Sequence, residues 1–595
     1  GVPAPTGLKT CKESVLRTTP LRSTPGVNRA CSSSSDSPSL GAMKYSKPAL
    51  IASVIAVVFA VFMATTILVV TVWSAQSIVN AGGSKPDRSW AESEHYTEPD
   101  PVTASNAEDF YAQNIHWGSC RADQITDGGS ASKSSLSEYQ CARLYAPLDW
   151  EEPAGEQITL SLAIHRSGSE GAPALFFNLG GPGGASVNSI TYQVEDSLGK
   201  DLVQKYDIVA LDPRGVGEST PLKCLSDAEL DTYNATGSFF GVNSKREEET
   251  PQEIVESSTR ELTFLADHCE HRSGDLFAHI DTVSAAKDFD MVREVLDQPN
   301  FNYLGYSYGT FLGATYAELF PAKTGRMVLD GAIDPSMSVN EVSDLQMRGF
   351  EDSIGHWMDI CLASKSCPFT GDRSAALKQL KDFLLGLDEE PLPTYDRKRP
   401  LTMNLALGAV IGTMYSEDTY PVLTQALSSA LKDDDGSQLL YIADILNDRE
   451  DDGSYSSNGT EALIAINNLD YEAAGTIEEW ERDAELLKRE LPVFGTWAGY
   501  ASAGLDTWPT SHAQRQEIHA KGSQPIVVVG TTHDPATPYV MAQRLASQLD
   551  AGVLVTYDGW GHTAYSKDAG SCVVGAVEGY LLDGTVPQNG LSCSK

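Results

Sequence analysis

Basic residues are scarce in this 595-residue chain: 43 lysines and arginines stand against 81 aspartates and glutamates, a formal net charge of −38. A groove for nucleic acid needs the opposite balance, so phosphate-backbone binding is excluded as a function. The acidic surplus keeps an exported protein soluble and favours cationic substrates by long-range attraction. Metal-ligand spacing is lacking too. His268-Cys269-Glu270-His271 gathers donors, but no second ligand pair stands at zinc-like distance from it. Asp448-Arg449-Glu450-Asp451-Asp452-Gly453 begins like a calcium loop, yet Gly459 takes the place of the bidentate glutamate, so it reads as a solvated acidic turn. No metal and no other cofactor is expected.

Long apolar runs are equally rare. The exception is 49–73, 25 residues without a charge. As a helix it would extend about 37 Å, more than the roughly 30 Å hydrocarbon core of a bilayer. It is also longer than the apolar region of a cleaved signal. Lys44 and Lys47 precede it, with Arg17, Arg22 and Arg29 further upstream. The positive-inside rule then keeps the N-terminus in the cytoplasm and everything after Trp73 outside. The reading is a single-pass signal anchor in the cell membrane with an extracellular body. The alternative is secretion after cleavage at Ala75-Gln76-Ser77 or Val79-Asn80-Ala81. Residues 1–48 read as a disordered basic segment, the part ahead of Met43 being extraneous to the natural chain, and 74–115 as a polar stalk.

Eight of the ten cysteines follow the apolar run, an even number in an oxidising compartment. Paired as sequence neighbours they give Cys120–Cys141, Cys224–Cys269, Cys361–Cys367 and Cys572–Cys593.

Against these absences, one motif stands out. Gly305-Tyr306-Ser307-Tyr308-Gly309 lies between the short apolar strand Asn302-Tyr303-Leu304 and a helix-forming stretch beginning at Thr310. G-x-S-x-G on a strand-to-helix turn is a nucleophile elbow, whose glycines permit a turn that lifts the serine hydroxyl clear of the sheet. Serine needs a base and the base an orienting carboxylate, and after such an elbow they follow in the order acid, then histidine. Pro525-Ile526-Val527-Val528-Val529-Gly530 reads as a buried strand leading to Asp534, and a helix is expected to start near Thr537-Pro538. The next strand, 552–558, leads to Gly559-Trp560-Gly561-His562. The set is therefore Ser307, Asp534 and His562. His533 is the rival base, but residues adjacent in an extended loop point apart. Asp330 and Asp334, ending the strand-like run 326–333, are the fallback acids. Ala174-Leu175-Phe176-Phe177-Asn178 delivers Leu179-Gly180-Gly181-Pro182-Gly183-Gly184, which suits an oxyanion hole made by the N–H groups of Tyr308 and Gly181, with Gly180 as the alternative. A P-loop is excluded by the missing Lys-Ser/Thr ending.

Strands recur at 157–165, 173–179, 206–212, 302–306, 326–333, 525–530 and 552–558, with helices between. That rhythm predicts an α/β fold with a mostly parallel sheet covered on both faces. From 336 to 515 it gives way to helical segments, read as an inserted lid over the site. The core then spans 116–335 and 516–595.

Gly180-Gly181-Pro182-Gly183, Asp212-Pro213-Arg214-Gly215-Val216-Gly217, 305–313, Arg326-Met327-Val328-Leu329-Asp330-Gly331, Asp534-Pro535-Ala536-Thr537-Pro538 and Tyr557-Asp558-Gly559-Trp560-Gly561-His562-Thr563 together resemble the secreted actinobacterial tripeptidyl aminopeptidases, a branch of the proline iminopeptidase-like α/β hydrolases. The resemblance runs from about residue 117 to the C-terminus. It implies the same triad, an α/β-hydrolase fold, and release of short peptides from substrates with a free N-terminus. The position of the family's lid motif makes Asp470 the candidate for holding the substrate amine. One departure concerns a lid cysteine pair common in the family: this chain has Asn468 and no cysteine just before Trp508. Ester or lipid hydrolysis by the same triad is the second expectation, and a catalytically silent binding protein the third.

Overall fold

The computed structural model describes residues 99–126, 136–240, 249–508 and 515–594. The apolar run at 49–73 lies outside the described residues, as do residues 1–48 and the first part of the expected stalk. Among the described residues no helix is long and apolar enough to cross a membrane.

Ten strands form one sheet: β1 Gly118–Ser119, β2 Tyr139–Pro147, β3 Gln157–His165, β4 Ala174–Asn178, β5 Asp207–Leu211, β6 Phe301–Tyr306, β7 Thr324–Asp330, β8 Ile526–His533, β9 Gly552–Trp560 and β10 Leu591–Ser594. Their order is β1-β2-β3-β5-β4-β6-β7-β8-β9-β10. β1, β2 and β3 run antiparallel to their neighbours, and every pairing from β5 to β10 is parallel. The sequence expectation missed β1, β2 and β10. The central parallel strands read as continuous apolar runs because both faces are covered. Along β4, Ala174 and Phe176 join one buried cluster while Leu175 and Phe177 join the other. This is the period of two that a strand imposes on its side chains.

Helices of ten or more residues are α1 Asp227–Thr236, α2 Pro251–Ser273, α3 Thr282–Val295, α4 Tyr308–Leu319, α5 Val339–Ala363, α6 Arg373–Gly386, α7 Met403–Gly412, α8 Tyr420–Lys432, α9 Ser437–Leu446, α10 Gly459–Asp470, α11 Ile477–Glu490, α12 Tyr539–Gln548 and α13 Ser571–Asp583. Starts are marked in the sequence. Ser338 accepts from Glu341 N–H and begins α5, and Thr476 accepts from Glu479 N–H and begins α11, both as capping boxes. Between β7 and β8 no strand of the sheet occurs among the described residues. There α6 to α9, with most of α5, build an apolar core of their own around Phe350, Trp357, Leu405 and Leu427. In contrast, α10 buries Leu463, Ile466 and Leu469 in the cluster shared with α3, α4 and the sheet.

The cysteines are bonded as Cys120–Cys141, Cys224–Cys269, Cys361–Cys367 and Cys572–Cys593. Cys269 is thus spent in a bridge, and no cluster of three or more potential metal ligands occurs among the described residues.

Candidate active site

The chain builds β4 inside β5 and then places β6 on the other side of β4, so the direction of winding reverses between β4 and β6. In open α/β sheets this switch point leaves a crevice at the carboxyl ends of the strands. Asn178 pairs with Gly305 in register, which brings the loop after β4 beside the turn after β6.

Ser307 occupies that turn with φ 57° and ψ −124°, immediately before α4. Left-handed φ is unfavourable for a residue with a side chain and is held here by neighbours. Ser307 N–H donates to Asp330 O at 2.9 Å, and Thr310 Oγ donates to Ser307 O at 2.5 Å. Ser307 is buried, and its Oγ makes no hydrogen bond to another described residue. The motif glycines are required by packing. A Cβ on Gly305 would stand 2.5 Å from Gly309 O, and one on Gly309 2.5 Å from Asn178 O.

Gly180 has φ +103°, and a Cβ there would lie 2.8 Å from Tyr306 O, 3.0 Å from Ser307 Cβ and 3.1 Å from Tyr308 N. The glycine loop therefore touches the elbow directly. Gly180 N–H donates to Asn178 Oδ1 at 3.0 Å, which removes Gly180 as the alternative oxyanion donor.

Asp534 follows β8 and is 2 % exposed. Its Oδ1 accepts from Ala536 N–H at 2.9 Å and Thr537 N–H at 2.8 Å. Its Oδ2 accepts from Thr537 Oγ at 3.0 Å and Thr563 N–H at 3.1 Å. Sequence reasoning gave Thr537 to the start of the next helix. The helix instead begins at Tyr539, and the threonine hydroxyl serves the carboxylate. His562 Nδ1 lies 2.9 and 3.0 Å from the two Asp534 oxygens. Its backbone N–H donates to Tyr415 O at 2.8 Å, and its ring meets Tyr415 edge-on at 5.3 Å between centroids. A carboxylate on Nδ1 fixes the tautomer that presents Nε2 as acceptor. With a serine hydroxyl at the carboxyl end of β6, two strands along the sheet from β8, the chain carries the groups that acyl transfer requires.

The fallback acids serve other purposes. Asp330 accepts from Ala564 N–H and Tyr565 N–H, at 2.9 and 2.7 Å, and so anchors the loop that follows His562. Burial pushes its carboxyl up to about 6. Asp334 accepts from Ser336 and Gln548. The rival base His533 turns away to Asp352, its Nδ1 2.7 Å from Asp352 Oδ2. Asp470 ends α10, 5 % exposed, and its two oxygens accept from Thr282 N–H at 2.9 Å and Thr282 Oγ at 2.6 Å. Each oxygen accepts one hydrogen bond from the start of α3, so Asp470 ties the end of α10 to that helix. Burial pushes its carboxyl up to about 7.

Two anchors were not legible in the sequence. Asn458 Nδ2 donates to Gly215 O and Leu222 O, each at 2.8 Å, and Glu461 Oε1 accepts from Cys224 N–H at 2.8 Å and from Leu225 N–H. These seat α10 on the segment after β5, and α10 also meets the glycine loop, where a Cβ on Gly183 would stand 2.7 Å from Gly459 O.

A family model for the α/β-hydrolase fold matches residues 173–569. The chain is 34 % identical over 506 residues to the Serine protease Hip1 of Mycobacterium tuberculosis, covering 82 % of this chain and 93 % of that protein. It is 35 % identical over 488 residues to the Carboxylesterase B of the same organism, covering 80 % and 89 %. To the Tripeptidyl aminopeptidase of Streptomyces lividans it is 28 % identical over 502 residues, covering 81 % and 86 %. The chain therefore belongs to the α/β-hydrolase family, as a serine hydrolase.

Proposed function

We propose that the protein is an extracytoplasmic serine peptidase that releases short peptides from free N-termini, with Ser307, His562 and Asp534 as its catalytic triad. The observation that carries this reading is the bonding of His562 Nδ1 to Asp534 at 2.9 Å, at the same carboxyl end of the sheet as a serine strained into an elbow. Ser307 Oγ attacks the scissile carbonyl while His562 Nε2 takes its proton and passes it to the leaving amine. Asp534 orients the ring and stabilises its cation. Tyr308 and Gly181 N–H groups hold the oxyanion, and water activated by His562 then frees the acyl group. The helical region 336–515 acts as a cover that limits which substrates enter. The peptide substrate is supported by two relatives whose names are those of peptidases. The four disulfides support maturation outside the cytoplasm, with 49–73 as a membrane anchor and the polar stretch after it as a stalk.

The test is a fluorophosphonate probe on wild type and Ser307→Ala. Stoichiometric labelling of the wild type and none of the variant is expected; labelling that persists in the variant refutes the nucleophile. Free and N-acetylated tripeptide amides then decide exopeptidase specificity, since blocking the amine should abolish cleavage. Short-chain esters belong in the same panel, because a relative of equal identity is a carboxylesterase. Ester turnover without peptide turnover would install that second reading.

A further inference from the structure

Trp560 lies two residues before His562, and His533 one residue before Asp534. The indole of Trp560 is sandwiched between two imidazoles: His533 at 3.9 Å between centroids and His356 at 3.8 Å, each within 8° of parallel. Each imidazole is fixed by a carboxylate. His533 Nδ1 stands 2.7 Å from Asp352 Oδ2, and His356 Nε2 stands 2.9 Å from Glu417 Oε1. Asp352 and His356 are four residues apart on α5, hence on one face of that helix. Glu417 lies two residues beyond Tyr415, whose carbonyl holds the His562 N–H. The contacts close a circuit from α5 through His533, Trp560, His356 and Glu417 to Tyr415 and back to the catalytic histidine loop.

We propose that His533, Trp560 and His356 are positioning residues, a three-ring stack that locks the acid loop and the histidine loop to the helical insertion and thereby sets the approach of His562 to Ser307. The inference rests on the triad assigned above. Backbone bonds join the two loops to each other and to the sheet, Gly561 N–H donating to His533 O at 3.3 Å, while the ring stack adds a side-chain link to α5. Stacked aromatic pairs prefer a defined relative geometry and hold more strongly than their buried area alone accounts for. A shift of about 1 Å at a reacting group costs roughly 10²-fold in rate, so partial loosening is visible in turnover.

The experiment compares wild type with Trp560→Leu, Trp560→Phe and His356→Leu in the disulfide-bonded protein, with competent sites counted by fluorophosphonate titration. The readouts are kcat per titrated site, KM for a tripeptide amide, and the second-order rate of labelling by the probe. In Trp560→Leu, kcat and labelling rate should fall together by ~10-fold with KM within about twofold. Trp560→Phe, which restores a flat ring, should recover to within ~3-fold of wild type. A residue that merely supports folding would reduce the number of titrated sites and leave the rate per site intact, and that result overturns the proposal. So does a change confined to KM, or a phenylalanine variant as slow as the leucine one. If Trp560→Leu does not fold, His356→Leu, which strips one face only, decides the matter by the same readouts. Failure of the triad is separately visible as labelling of Ser307→Ala, in which the stack is intact.

Discussion

The two flanks of the site are held by different chemistry. On the glycine-loop side a single helix, α10, is bolted to the core by polar groups: Asn458 on Gly215 and Leu222, Glu461 on Cys224 and Leu225, Asp470 on Thr282. On the acid–imidazole side apolar and aromatic packing joins two carboxylate–imidazole pairs, Asp352 with His533 and Glu417 with His356. Ala536, two residues past Asp534, belongs to the core of the helical insertion, and a Cβ on Gly349 of α5 would stand 2.5 Å from Pro535 O. Gln346 adds one bond, its Nε2 donating to Ala536 O at 2.8 Å. A polar bolt fails when its charge state changes, whereas a packed contact fails when its volume changes. The comparison therefore sets the buried carboxyls, which pH disturbs, against the packed contacts, which a cavity disturbs.

The sharpest blow to the apolar flank is struck at its chemistry. Asp534→Asn keeps the shape of the loop but withdraws the charge that orients His562, and kcat should fall by ~10⁴-fold. Turnover per titrated site checks this, and a loss under tenfold would move the acid elsewhere. Next comes the glycine flank: Gly183→Val forces a side chain against Gly459 O at a residue with φ +98°. Displacing the loop should remove one oxyanion donor and lower kcat by roughly 10²–10³-fold, read by the same assay. A smaller effect on catalysis is expected of Phe350→Ala. Phe350 is 0 % exposed in the insertion core and lies 5.6 Å, ring to ring, from Tyr415. Stability should drop by about 3–5 kcal/mol in denaturant unfolding while kcat falls less than tenfold.

The mildest test is pH, and it addresses the buried carboxyls, most of them on the polar flank and one, Asp330, at the histidine loop. Burial pushes Glu461, Asp470 and Asp212 each up to about 7 and Asp330 up to about 6. A raised carboxyl binds its proton more tightly folded than unfolded, so its contribution is whole below the ordinary carboxylate range and is lost as pH rises towards 7. The melting temperature should therefore be higher near pH 5 than near pH 8. The drop should shrink in Glu461→Gln and Asp470→Asn but persist in Phe350→Ala. A flat profile in wild type would show that these carboxyls ionise in the fold without cost.

Much of this was legible in the residues, for identifiable reasons. Ser307 announces itself because its turn admits only glycine on both sides, Asp534 follows a buried strand whose apolar run ends abruptly, and His562 follows the next strand. β2 escaped notice because Gln140 and Arg143 interrupt its apolar pattern, and β10 because four residues carry no pattern at all. The latter is specified by pairing with β9 and the bridge from Cys572 to Cys593. Asp470 was singled out from the position of the family's lid motif, and its partner Thr282, 188 positions away, is not legible locally. Thr537 and Trp560 were visible as residues, yet nothing local says that one serves Asp534 or that the other is sandwiched by rings from α5 and β8.

The membership of Ala536 in the insertion's core has a practical corollary for specificity engineering. Transplanting the cover from a relative would replace the wall against which the acid loop is cast. A chimaera that imports new pocket residues must also import the surface that fits Pro535 and Ala536, or it will change its substrate at the expense of its engine.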